Sequence, residues 1–319
     1  MPEVQHRFFD VNGIRLHVAE SGEGPLVVLL HGFPESWYSW RHQLGALADA
    51  GYHVIAPDQR GYGRTDRPEG IEHYTRLHLV GDVIGLLDLL GEPQAVVVGH
   101  DWGSIIAWDT ALLRPDRVLG VASLSVPYFP RLPVSIRAGL VEALGNRVYM
   151  QYFQEPGVAE EELERDVRTT MRRMLYGWSG DAPGNPKEPV VPSGGGFLDI
   201  VDDTDRLPGW LNETDLEFYS AEFERTGFSG GLNWYRALDL GWELMAPWHM
   251  TPVLPPALYV AGDRDVVVGF PGADDLIGGM RTLVPNLVDS VMLEGCGHWT
   301  QQERPAEVND ALLNFLAKL

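Results

Sequence analysis

The chain has 319 residues, of which 45% are hydrophobic, with one cysteine and a formal net charge of −21. That balance argues against nucleic acid and anionic membrane surfaces as partners, because both select for basic patches. The single cysteine, Cys296, rules out an internal disulfide and fits a reducing, cytoplasmic setting.

The N-terminus, "MPEVQHRFFDVNG", has no basic head followed by an apolar stretch, so no signal peptide is expected. No apolar run approaches the ~18–20 residues of a membrane span. "RFFDV" and "IRLHVAE" flank Asn12-Gly13, which predicts a hairpin. "PLVVLLHG" is continuously apolar, as a buried parallel strand is. "WYSWRHQLGALADAG" has helical spacing, "YHVIAP" reads as a strand, and "LVGDVIGLLDLLG" as a helix closed by Gly91. "QAVVVGH", "SIIAWDTALLRP" and "VLGVASLSV" continue the alternation as strand, helix and strand. Such alternation predicts a parallel sheet covered on both faces.

The pattern then breaks. Residues 128–247 read as mainly helical: "RAGLVEALGNRVYMQYF", "VAEEELERDVRTTMRRMLYGW", "ETDLEFYSAEFERTG" and "NWYRALDLGWELM". Within them, "SGDAPGNPKEPVVPSGGG" reads as a long loop, the kind that tends to be functional or mobile. The sheet pattern resumes with "PALYVAGDRD", "ADDLIGGMRTLV", "LVDSVMLEG" and "PAEVNDALLNFLAKL". The expected organisation is an α/β core, residues 1–127 and 248–319, interrupted by a helical insertion over 128–247.

Chemistry concentrates at strand ends. In "VVVGHDWGS", Asp101 is the centre of G-x-D-x-G between a strand and a helix. Asp is a favoured helix N-cap, because its carboxylate accepts bonds from the free N–H groups of the first turn. The flanking glycines point elsewhere. They are the spacing of a nucleophile elbow, a turn too tight for a Cβ that lifts the central side chain above the sheet. Asp265 follows in "AGDRDVV" and His298 in "GCGHW", each just past a strand. Nucleophile, acid, histidine is the chain order of an α/β-hydrolase triad. Asp263 and Asp265 also fit solvated turn residues, and a lone His past a strand is ordinarily a surface residue. The joint order is the stronger signal. "HGFPES" follows the third strand, and its Gly-Phe-Pro turn suits an oxyanion hole in which the amides of Phe33 and Trp102 converge. No His/Cys/Asp cluster has metal-ligand spacing, and no cofactor is expected.

"HGFPESWYSW", "PDQRGYGRTD", "GHDWGS", "QYFQEPGVAE", "GFSGGLNWYR" and "GCGHWTQQERP" together resemble the α/β-hydrolase-fold epoxide hydrolases, nearest to the hydrolase domain of the soluble epoxide hydrolases. The likeness spans almost the whole chain. It implies an α/β-hydrolase fold, a mostly parallel central sheet flanked by helices, with the insertion as a helical lid. It implies conversion of epoxides to vicinal diols through an Asp101 alkyl-enzyme ester, hydrolysed by water that His298 activates with Asp265 behind it. A carboxylate, with reference pKa ~3.9, needs no base to act as nucleophile at pH 7. The family places two tyrosines on the lid to donate to the opening oxygen, and the matching positions here are Tyr152 in "QYFQEPG" and Tyr235 in "NWYR". Glu35 and Pro34 match positions that help place substrate or the hydrolytic water. The partner implied is a small-molecule epoxide, and the assembly a monomer or homodimer. The Pro/Gly-rich stretch near 180–200 departs from the family pattern.

Two other readings share these residues. A haloalkane or haloacid dehalogenase uses the same fold, nucleophile and ester, but its halide needs N–H donors and no proton. One large dehalogenase group has Asn after His-Gly, where this chain has Phe33. A ligand sensor on the same fold would keep the pocket and turn over poorly; an intact Asp101, Asp265 and His298 set weighs against it.

Overall fold

The computed structural model describes residues 4–185 and 187–319. Met1–Glu3, the first residues of the N-terminal reading, and Pro186, within the Pro/Gly-rich stretch, lie outside the described residues.

The elements up to the insertion follow the sequence pattern: β1 (Gln5–Val11), β2 (Ile14–Ser21), β3 (Leu26–Leu30), α1 (Arg41–Asp49), β4 (His53–Pro57), α2 (Arg76–Leu90), β5 (Ala95–His100), α3 (Trp102–Leu113) and β6 (Val118–Leu124). Asn12 and Gly13 both take positive φ, 47° and 79°, the geometry of a tight hairpin turn. The eight-stranded sheet runs β1-β2-β4-β3-β5-β6-β7-β8, where β7 is Ala257–Gly262 and β8 is Leu287–Leu293. β2 pairs antiparallel with β1 and β4, and the remaining pairs are parallel.

The central strands are apolar throughout because both faces are covered. Side chains alternate across the pleat. Val27 and Leu29 join Trp40, Leu44, Leu47, Leu312 and Phe315 on one face, and Val28 and Leu30 join Leu79, Val83, Ile106 and Trp108 on the other. Each fully buried Val or Leu contributes roughly 1.5–3 kcal/mol against exposure. The sheet is therefore a rigid platform, and β3, β5, β6 and β7 all present their carboxyl ends at one edge.

Between β6 and β7 the chain is helical: α4 (Ile136–Leu144), α5 (Tyr149–Tyr152), α6 (Val158–Leu163), α7 (Val167–Gly177), α8 (Glu213–Thr226), α9 (Ser229–Arg236) and α10 (Leu238–Leu244). Three stretches that read as single helices are each divided. Gly145 at φ 86° closes α4. Asp166 breaks "VAEEELERDVRTTMRRMLYGW" by accepting the Thr169 N–H at 3.0 Å as the cap of α7. α9 and α10 meet at Ala237. At Gly145 and Asp166 local capping outweighs the continuous periodicity. After β7 come α11 (Ala273–Gly279), β8, α12 (Thr300–Glu303) and α13 (Pro305–Leu316).

The long loop of the insertion is tied down rather than free. Gly180 donates to Glu303 at 2.8 Å, Asn185 donates to the carbonyls of Gly177 and Ser179, and Phe197 is fully buried. Among the described residues no helix is long and apolar enough to cross a membrane.

Candidate active site

β5 ends at His100, and α3 begins at Trp102. Between them Asp101 sits at φ 53°, ψ −121°, a conformation that side chains other than glycine's rarely adopt. The turn is tight enough that a Cβ on Gly99 would lie 2.1 Å from the Gly103 carbonyl oxygen, and one on Gly103 would lie 2.0 Å from that of Leu30. These contacts explain the G-x-D-x-G spacing. Ser104 pins the turn from below, donating to the carbonyls of Gly99 and Leu124.

The Asp101 side chain makes no cap bond to α3. Its Oδ1 accepts the Phe33 N–H at 2.8 Å, across from the β3 loop. The capping alternative therefore fails: the carboxylate points away from its own helix. The Trp102 amide is the first of α3, where N–H groups have no partner within the helix. The Phe33–Pro34 peptide is cis, and both residues are buried.

His298 reaches this carboxylate from the segment after β8. Its Nε2 is 3.5 Å from Asp101 Oδ2, and its Nδ1 is 2.9 Å from Asp265 Oδ1. Asp265 also accepts the Val267 N–H at 2.9 Å. His298 and Asp265 are buried, whereas the Asp101 side chain keeps 16% of its surface accessible. Burial pulls His298 down, but the negative charges of Asp265 and Asp101 outweigh it and hold the imidazole well above its ordinary value. Burial likewise pushes the Asp265 carboxyl up, and the His298 charge and hydrogen bond hold it below the usual range. Among the described residues His298 Nε2 makes no close hydrogen bond; the charge it faces is Asp101 Oδ2 at 3.5 Å.

Tyr235 lies where the motif put it. It is buried on α9, with its ring 5.1 Å from that of Trp102 and 5.5 Å from that of Phe33. Tyr152 does not join it. The Tyr152 hydroxyl donates to Glu162 at 2.8 Å, within the insertion. The tyrosine beside Tyr235 is Tyr149, three residues earlier on the same short helix. It is buried, and its ring is 5.9 Å from that of Tyr235. Burial first raises both phenols above the usual tyrosine range, followed by the negative charge of Asp101 for Tyr149 and by Tyr149 and then Asp101 for Tyr235. The physical reason is local: Glu162 captures the more exposed Tyr152 phenol, while Tyr149 is buried against Tyr235.

Glu35 is fully buried, and its carboxylate is occupied by the Gly32 N–H at 2.8 Å, His100 Nδ1 at 2.7 Å, Gln301 at 2.9 Å and Gln302 at 3.3 Å, so it braces the Gly32–Phe33 loop from behind. Pro34, without an N–H, offers no donor for a water. His100, inside the quoted "GHDWG", links Glu35 to the His298 carbonyl at 2.7 Å. Ser125 Oγ lies 3.0 Å from His298 Nδ1. Neither His100 nor Ser125 carries a signal in one sequence that separates it from an ordinary core residue.

A cavity of about 240 Å³ opens beside the elbow, lined by Trp102, Ile105, Phe129, Leu140, Trp242 and Phe270 among others. Its wall is chiefly apolar. Among the described residues no group of three or more His, Cys, Asp or Glu is placed to hold a metal ion.

Comparison with known proteins places the fold and the family. The sequence profile of the α/β hydrolase fold matches residues 25–305. Epoxide hydrolase A of Mycobacterium tuberculosis is 47% identical over 98% of this chain and 97% of its own length. Epoxide hydrolase 2 of Siraitia grosvenorii is 44% identical over the full length of both. The crystal structure of epoxide hydrolase A from Mycobacterium thermoresistibile superposes with a TM-score of 0.93 at 47% identity, covering 99% of this chain and 98% of that one.

Proposed function

The chain belongs to the α/β-hydrolase-fold epoxide hydrolases, and on that footing we propose that it converts small apolar epoxides to vicinal diols through a covalent ester at Asp101. The observation that carries the reading is the pair of buried phenols, Tyr149 and Tyr235, gathered on the same side as the Asp101 carboxylate. A saturated carbon is opened by in-line attack, and an ionised carboxylate is competent for it without a base. The leaving oxygen stays attached to the substrate and develops negative charge. A phenol that remains protonated meets that charge with a hydrogen bond and a proton, which is what an epoxide requires and a halide does not.

The first step forms a bond from an Asp101 oxygen to carbon and breaks the ring C–O bond. The ring oxygen takes up a proton from the phenol pair. Asp101 is now a neutral ester, and this changes His298. While Asp101 is ionised, two carboxylates favour the imidazolium. Ester formation removes one of them, so the imidazole more readily gives up its proton, which restores the phenol that donated to the ring oxygen, and becomes a base. Its open Nε2 then takes a proton from a water attacking the ester carbonyl. The tetrahedral oxyanion falls beside the Phe33 amide, with the Trp102 amide as second donor; one such donor is worth roughly 10²–10³ in rate. Collapse breaks the bond from the Asp101 carbonyl carbon to the diol oxygen; that oxygen takes the proton from His298, and the Asp101 acid so formed returns a proton to the imidazole, restoring carboxylate and imidazolium. The net reaction is epoxide plus water to diol.

Helices α4–α10 act in this reading as a lid that carries the phenols and walls the cavity, with the core over residues 1–127 and 248–319. The test is diol release from epoxides of graded bulk. Wild-type protein should release diol over many turnovers, and Asp101→Asn, freshly prepared, should release none. Halide release from haloalkanes without diol formation would favour the dehalogenase reading. Binding without turnover would favour the sensor.

A further inference from the structure

Ser125, the first residue after β6, departs from the strand it ends. Its φ is 75°, in the left-handed region that side-chain-bearing residues rarely adopt. The conformation is held from two sides. The Ser125 N–H donates to the Val260 carbonyl at 2.8 Å, and its carbonyl accepts the Tyr259 hydroxyl at 3.0 Å. The residue is fully buried. What the unusual backbone achieves is the direction of the side chain. Ser125 Oγ lies 3.0 Å from His298 Nδ1, the same nitrogen that Asp265 Oδ1 holds at 2.9 Å. Ser123, two residues earlier, spends its hydroxyl on the Val126 carbonyl and braces the backbone alone.

Asp265 by itself holds the imidazole at one point, Nδ1 to Oδ1 at 2.9 Å. A ring held at one atom can pivot about that bond. We propose that Ser125 is a positioning residue for the hydrolysis half of the reaction: its oxygen accepts a share of the His298 Nδ1–H beside Asp265 Oδ1, and the two oxygens together fix the imidazole plane with Nε2 toward Asp101. The first half-reaction needs no base, so it does not depend on Ser125. The choice of assay rests on the epoxide reading above; the contact itself does not.

Two substitutions separate the hydroxyl from the backbone. Ser125→Ala loses the hydroxyl and keeps the positive-φ strain. Ser125→Gly loses the hydroxyl and relieves the strain. Rapid mixing with an epoxide measures ester formation and ester hydrolysis separately. Both variants should slow hydrolysis by about tenfold, the scale of a modest misplacement of a reacting group, and leave ester formation within about twofold of wild type. They should do so to similar extents even though their melting temperatures differ. Ser125→Asn, which tolerates a left-handed backbone and carries both a donor and an acceptor, should recover part of the loss. A second readout needs no substrate: the ¹⁵N resonance of His298 Nδ1 in the resting protein should move in both Ala and Gly variants, while that of His31 stays. Hydrolysis rates that simply follow melting temperature, a hydrolysis step unchanged in both variants, or equal slowing of both steps would overturn the proposal. Should the wild-type protein form no ester, the epoxide reading falls instead. The His298 resonance then decides for Ser125, and an unmoved Nδ1 signal overturns it.

Discussion

His298 Nε2 stands 3.5 Å from Asp101 Oδ2 while its Nδ1 is bonded to Asp265 at 2.9 Å. The imidazole is anchored on one side and open on the side of the nucleophile. The separation is that of an ion pair rather than a short hydrogen bond, and a carboxylate needs no base to act as a nucleophile.

His298→Gln should therefore spare ester formation and stall hydrolysis. Intact-mass measurement after mixing with an epoxide should show protein heavier by one substrate mass, persisting for minutes or longer. Asp265→Asn should give a milder form of the same defect, because it removes orientation and charge support from the ring but leaves the base. A folded His298→Gln protein that forms no adduct would contradict this division of labour.

The lid tyrosines give a prediction that separates Tyr149 from Tyr152. Tyr149→Phe and Tyr235→Phe should each slow ester formation partially, and the double variant should lose on the order of 10²–10⁴ in rate, the usual range for a general acid. Tyr152→Phe should behave as wild type in single turnover, since its hydroxyl is engaged by Glu162. Both active phenols are raised by burial and by Asp101, so the acid form persists to higher pH. Ester formation should then show no loss centred near pH 10, the ordinary tyrosine value. A near wild-type rate in the folded double variant would reduce both residues to packed aromatics.

These residues also mark how far the sequence alone reaches. The alternation of β3 to β6, the elbow at Asp101 and the partners Asp265 and His298 are legible because period, glycine spacing and chain order are local or ordinal signals. Tyr149 was not legible. It lies on a four-residue helix with Tyr152, and which one faces the elbow depends on Glu162, ten residues away. The roles of Glu35 and His100 were hidden for a related reason. Their partners are Gly32, Gln301, Gln302 and the His298 carbonyl, a network that only the folded sheet assembles. The divisions of the insertion helices at Gly145 and Asp166 were missed because apolar periodicity continues through both.

Glu35 offers a pH test. Burial pushes its carboxyl up, but the charge and hydrogen bond of His100, with the Gly32 amide, hold it at about 2 against an ordinary 4.5. A carboxyl lowered in this way stabilises the fold fully above its unfolded value, and the contribution is lost as pH falls toward the folded one. Glu35→Gln should lower the urea midpoint at pH 7. The gap to wild type should narrow as pH drops below about 4.5, over the range where both stay folded. A gap independent of pH would mean that the carboxylate charge contributes nothing there.

The central claim is that water attacks an ester of Asp101 and never the epoxide itself. A single turnover in heavy-oxygen water, followed by digestion and mass measurement of the peptide carrying Asp101, tests it directly. The expected result is label in the Asp101 carboxylate after the first turnover and unlabelled diol, because the diol oxygen comes from the old carboxylate. Label in the diol alone, with Asp101 unlabelled, would contradict the account.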